Sequence, residues 1–90
     1  MLNYHFHVYG RVQGVGFRGT VYYTATKLGL TGFVRNENDG SVYIEIQGSA
    51  KAMQKFSDQL DRGMTPYARI SKIEKTSGQL TDYRAFTIEY

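Results

Sequence analysis

The residues in this chain best suited to chemistry are two arginines enclosing a glycine-rich turn. Gly10-Arg11-Val12-Gln13-Gly14-Val15-Gly16-Phe17-Arg18 carries three of the ten glycines. Glycine adopts positive φ without steric cost, so such a turn can point successive backbone N–H groups inward. A concave row of N–H groups beside a helix N-terminus binds anions. Arg18 adds a planar, permanently charged fork suited to phosphate oxygens. These residues predict a phosphate-binding loop. By themselves they leave open a glycine-rich turn with no ligand, and Arg11 is open between a second loop charge and a surface residue.

Two other phosphate motifs overlap the stretch. Gly14-Val15-Gly16-Phe17-Arg18-Gly19 reads G-x-G-x-x-G between a strand and a helix, as a dinucleotide site requires. However, 90 residues cannot hold two mononucleotide-binding halves. The acid at about 20 positions downstream would be Asp39, which reads as a hairpin turn residue. Gly14 to Thr20 nearly matches a Walker A loop but has no lysine between Gly19 and Thr20. Both readings fail.

The elements that must position this loop follow from periodicity. Tyr4 to Val12 alternates, with Tyr4, Phe6, Val8 and Gly10 on one face and His5, His7, Tyr9 and Arg11 on the other, which predicts a half-buried strand. Thr20 to Leu28 carries Val21, Ala25 and Leu28 as a helical stripe, stopped by Gly29. Thr31 to Asn36 and Ser41 to Gln47 read as strands joined by the Glu37-Asn38-Asp39-Gly40 turn, since Asp-Gly is a strong hairpin signal. Ser49 caps a second helix marked by Ala52, Met53, Phe56 and Leu60 and closed by Gly63. Ile70 to Thr76 and Phe86 to Glu89 are strand-like, separated by a polar loop from Gly78 to Arg84. The expected fold is α+β: a ferredoxin-like split βαβ, with two helices on one face of an antiparallel sheet and a short C-terminal strand.

Composition narrows the partners. A chain of 90 residues is expected to form one domain, residues 1–90. At this size it buries only a little over ~60% of its unfolded surface, so the core is modest and no large cofactor is expected. The absence of cysteine excludes disulfides, a thiolate nucleophile and a zinc–thiolate site, and fits a reducing cytoplasm. The N-terminus reads as neither signal nor transit peptide, and no apolar run reaches membrane-spanning length. The net charge of +3 is scattered without blocks, which suits a small anionic substrate better than a polyanion. The expectation is a cytoplasmic monomer with no membrane or nucleic-acid partner.

Gly10 to Arg18 resembles the acylphosphatase signature G-R-V-Q-G-V-G-F-R at all nine positions. A second block of that family, Gly-aromatic-Val-x-Asn-x-x-Asp-Gly-x-Val, is matched by Gly32 to Val42, and Leu28-Gly29-Leu30 also stands where the family has it. The resemblance spans the chain and implies the same ferredoxin-like fold. It departs at Gly63-Met64, where many members have Gly-Pro, and at Phe33, where tryptophan is frequent. It implies hydrolysis of the carboxyl–phosphate anhydride bond, with Arg18 binding the phosphate and Asn36 positioning the attacking water. The N–H groups of Gln13, Gly14, Val15, Gly16, Phe17 and Arg18 would hold the phosphoryl oxygens, and inorganic phosphate or sulfate would occupy the same loop. No metal or other cofactor is expected. The alternative is a non-catalytic anion-binding or accessory domain that retains the loop.

Two further features are read as structural. His5 and His7 share a strand face, as a metal pair would, but no acid or cysteine pattern joins them. Tyr9 and Tyr43 on outward strand faces suggest an RNA-recognition sheet, yet the strand from Ser41 to Gln47 holds one aromatic and an acid instead of that module's aromatic motif. Tyr22 and Tyr23 are expected to pack the first helix.

Overall fold

The computed structural model describes residues 1–90. Its elements are β1 (Leu2–Arg11), α1 (Phe17–Lys27), β2 (Thr31–Asn36), β3 (Val42–Gly48), α2 (Ala50–Asp61), β4 (Arg69–Ser77) and β5 (Phe86–Glu89). The strands form one sheet in the order β4-β1-β3-β2-β5. β1 and β2 run in the same direction with β3 antiparallel between them, which is the split βαβ expected from the sequence. One detail differs. β5 crosses to the far edge and pairs parallel with β2, so the expected antiparallel sheet is mixed.

Alternation in the strands sorts the two faces. Phe6, Val8, Val34, Val42, Ile44, Ile46 and Phe86 are buried with Val21 and Ala25 of α1 and Met53, Phe56 and Leu60 of α2 in one core. His5, His7, Tyr9, Tyr43 and Glu45 occupy the opposite, helix-free face. The loop after β4 covers one end of that face. There Gln47 exchanges bonds with Thr81, Nε2 donating to the Thr81 carbonyl at 2.7 Å and Oε1 accepting from its N–H at 2.8 Å.

α1 begins at Phe17, three residues before the expected start. The reason is packing: the Phe17 ring is 1% exposed, and it extends the Val21–Ala25 stripe by one turn. The helix ends as a Schellman motif, with Gly29 at φ 74 and the Leu30 N–H donating to the Ala25 carbonyl at 2.9 Å. α2 is capped by Ser49, whose Oγ accepts from the Ala52 N–H at 3.1 Å. It closes on Gly63 and Met64. Met64 is the one non-glycine residue at positive φ, 63°, and its N–H donates to the Gln59 carbonyl. Proline could supply neither that φ nor that donor, so this closure differs from a Gly-Pro turn. Of the two tyrosines on α1, Tyr22 meets Phe86 at a ring-centroid distance of 6.4 Å. Tyr23 is 64% exposed and does not pack as expected; Lys27 approaches its ring instead.

Candidate active site

The parallel course of β1 and β2 brings their C-terminal ends to the same end of the sheet. Val42 of β3 is in register with Val8 on one side and Asn36 on the other. Two strand spacings, about 9–10 Å, therefore separate Asn36 from β1, and the loop after β1 must close that gap. Gln13 fastens it: Nε2 donates to the Glu37 carbonyl at 2.8 Å and to the Ser41 carbonyl at 2.9 Å, tying the loop to both ends of the β2–β3 turn. Asp39 holds the turn itself. Its carboxylate accepts from the Ser41 N–H and hydroxyl, which keep its pKa below the usual carboxylate range.

Within the loop, Gly14 and Gly16 take φ 72 and 79 while Val15 does not. Positive-φ residues on either side of one at ordinary φ can turn N–H groups to one side, as an anion nest requires. The N–H groups from Gln13 to Gly19 donate to no backbone carbonyl, and the first bond at this helix end is Thr20 N–H to Gly16 O at 3.1 Å. α1 lacks the side-chain cap that α2 has, and its first turn carries no acid. Its positive end is therefore uncompensated from within.

A cavity of about 150 Å³ lies against these groups, lined by Gly14, Gly16, Phe17, Arg18 and Asn36, with Val12 and Gly19. The structure thus brings Arg18 and Asn36 together, which sequence spacing alone did not establish. Gln13 and Val15 do not line this cavity; Gln13 acts as the clasp described above. Asn36 Oδ1 is buried and has no hydrogen-bond partner. A buried unpaired acceptor is rare and calls for a reason, such as a catalytic role or a bound water; Asn3 Oδ1, which does not line this cavity, is a second one.

Arg18 has no carboxylate within ion-pair distance. Its Nη1 donates to the Glu89 carbonyl at 3.2 Å, and its guanidinium lies 4.9 Å from the Tyr90 ring centroid. The parallel pairing of β5 with β2 delivers these two residues. Sequence reasoning gave them no role, because a main-chain acceptor leaves no mark in residue types.

The histidines on the helix-free face already have partners. His7 Nε2 is 2.6 Å from Ser41 Oγ, and its ring stacks on Tyr9. His5 Nδ1 is 3.1 Å from the Tyr43 hydroxyl and Nε2 is 3.5 Å from Glu45. No three His, Cys, Asp or Glu side chains are grouped as metal ligands would be. Tyr43 and Tyr83 both donate to Glu45.

Comparison with known proteins bears on the family and the fold. The sequence model for the family described as Acylphosphatase matches residues 4–88. The chain is 44% identical to an acylphosphatase of Mannheimia succiniciproducens and 39% identical to one of Ligilactobacillus salivarius, in each case covering 100% of both chains. It superposes on the crystal structure of acylphosphatase from Bacillus subtilis with a TM-score of 0.94 and 40% identity, again over 100% of both chains. With its loop, its paired strand ends and its full-length relatives in agreement, this chain belongs to the acylphosphatase family, hydrolases of acyl phosphates.

Proposed function

We propose that hydrolysis takes place in the cavity between the glycine loop and the end of β2, with Arg18 holding the phosphoryl group and Asn36 aiming the water. The observation that carries this reading is the shared cavity: an arginine without a carboxylate partner, N–H groups without carbonyl partners and an orphaned amide oxygen line or border one small space. Loop N–H groups and the Arg18 fork stabilise charge on the phosphoryl oxygens. Asn36 is no base at neutral pH, but its amide hydrogen-bonds a water and orients it toward phosphorus. The water oxygen bonds to phosphorus as the bond to the acyl oxygen breaks, and the electron pair leaves with the carboxylate. The water's proton passes to a phosphoryl oxygen of the substrate.

An acyl phosphate is an activated anhydride, so positioning and charge stabilisation suffice without a covalent intermediate. The reading includes metal-independent turnover by a monomer of one 90-residue domain in the cytoplasm, with inorganic phosphate or sulfate competing for the loop. No helix is long and apolar enough to cross a membrane.

Phosphate release from benzoyl phosphate, with phenyl phosphate as the monoester control and a chelator arm, tests it. Release from the first only, unaffected by chelator and inhibited competitively by phosphate, is expected. Complete loss of rate in chelator, restored by a divalent cation, or preference for the monoester would overturn it. A folded protein that binds phosphate but releases none would favour the non-catalytic anion-binding reading.

A further inference from the structure

A larger groove opens beside the phosphoryl cavity. It measures about 570 Å³ and is lined by Arg11, Gly14, Val15, Pro66, Tyr67 and Arg69. Gly14 lines both spaces, and a Cβ placed there would meet nothing within 4 Å, so the two adjoin at a residue with no side chain between them. Arg11 and Arg69 stand directly opposite each other where β1 pairs with β4. Like charges in that position are destabilising. Neither arginine has a carboxylate within ion-pair distance to offset this. Arg69 Nη1 donates to the carbonyls of Pro66 and Ala68 at 3.0 and 2.9 Å, which fixes its fork at the groove. Tyr67 is 72% exposed, a large ring without a hydrophobic partner to cover it.

We infer that this groove receives the acyl portion of the substrate and selects acyl groups that carry a second anionic group of their own. The inference rests on the proposed placement of the phosphoryl group between Arg18 and Asn36. With the phosphoryl group there, the acyl chain leaves past Gly14 into the groove. Val15, Pro66 and Tyr67 supply an apolar wall for its carbon skeleton. Arg11 and Arg69 supply paired guanidinium forks, the residue type best matched to a carboxylate or phosphate at the far end. Such an anion also relieves the repulsion between the two arginines, so the subsite gains from charge on the ligand twice over.

The test compares 4-carboxybenzoyl phosphate with 4-methylbenzoyl phosphate, where the para position keeps the carboxylate from attacking its own acyl carbon. The readout is the ratio of their kcat/KM values, and the change in that ratio on mutation cancels leaving-group differences. Arg11→Gln is expected to lower the ratio by roughly 10-fold, the scale of one charge-assisted hydrogen bond at a partly exposed site. Arg69→Gln acts in the same direction, Arg11→Glu lowers the ratio further, and raising salt shrinks the wild-type preference. An unchanged ratio in Arg11→Gln overturns the inference. So does a loss shared equally by both substrates and by inorganic phosphate inhibition, which would put Arg11 in the phosphoryl site. Failure of the wild type to hydrolyse either compound contradicts the proposed reaction instead. The subsite is then read by calorimetric binding of the matching 4-carboxy- and 4-methylphenacylphosphonates, where equal affinities would overturn it.

Discussion

Arg18 and Asn36 line one cavity but are assigned to different partners, so their substitutions separate. On the proposed reading, Arg18 faces the phosphoryl group before and during reaction. Arg18→Ala should weaken phosphate inhibition as well as turnover, and Arg18→Lys should rescue poorly because a point charge lacks the planar fork. Asn36, assigned to the water, would gain its value as the new bond forms. Asn36→Ala should lower turnover by roughly 10²-fold while phosphate affinity stays near wild type. Turnover and phosphate inhibition constants, measured on variants that melt cooperatively, decide this; full turnover in Asn36→Ala would end the water-positioning role. The glycines give a second residue-scale test. A Cβ on Gly16 meets no atom within 4 Å, so the internal cost of Gly16→Ala is its φ of 79 alone. That strain is about 1–2 kcal/mol, or a drop of roughly 4–8 °C per kcal/mol in Tm. Activity should fall by more than this loss of stability explains, because the added methyl projects into open space beside the N–H nest. Parallel losses of rate and Tm would reduce the loop to a structural turn.

At the scale of elements, the site depends on how two strand ends are fastened. Gln13 spans the loop and the β2–β3 turn with two hydrogen bonds to carbonyls. Gln13→Ala should cost about 1–3 kcal/mol in denaturant unfolding, one to two net hydrogen bonds. It should also lower turnover, since the clasp sets the loop against Asn36. Gln13→Glu should fare no better, because a carboxylate cannot donate to those carbonyls; wild-type turnover in either variant would show that the clasp does not position the site. Gly10 shows the opposite kind of glycine requirement. It lies at the register shift between Tyr9 and the end of β1, and a Cβ there would sit 2.1 Å from the Arg69 carbonyl oxygen. That approach is why β4 can pair with β1 as far as Arg11, and hence why Arg11 and Arg69 meet.

For the whole molecule, placing both helices on one face leaves the other to an aromatic and acidic network, and that network carries a pH signature. Burial raises the Glu45 pKa, but hydrogen bonds from Tyr83 and Tyr43, with the charges of His5 and Arg35, outweigh it and hold the group below the usual carboxylate range. Its contribution to stability is therefore present above the unfolded value and lost as pH falls through the depressed folded one. Tyr43 is pushed up from 10.0 to about 12, first by burial and then by its bond to Glu45, and Tyr83 is raised for the same reasons. Their contribution is present below the ordinary phenol range and lost as pH rises from 10.0 through about 12. Thermal melting across pH should thus fall at both limbs. Glu45→Gln should flatten the acid limb and bring tyrosinate absorbance in at lower pH. An unmoved tyrosine titration would show that the two rings do not depend on Glu45.

What the sequence determined by itself is what short-range chemistry controls. Period-two alternation fixed the faces of β1 and β3, the Asp39-Gly40 turn fixed the hairpin, and glycines at Gly14 and Gly16 marked the only backbone able to build the nest. The matched blocks around Arg18 and Asn36 named the family and the residues to examine. The tertiary structure decided what depends on strand order. Arg18 and Asn36 meet because β1 and β2 are parallel across β3, and Gln13 turned out to clasp the loop to the hairpin. Glu89 and Tyr90 hold Arg18 because β5 crosses to the β2 edge, which also makes the sheet mixed. Arg11 and Arg69 oppose each other because of a bulge and a register. These partners are main-chain carbonyls and residues up to 71 positions apart. No local propensity encodes such pairs; they are fixed only when the core selects one arrangement of the strands.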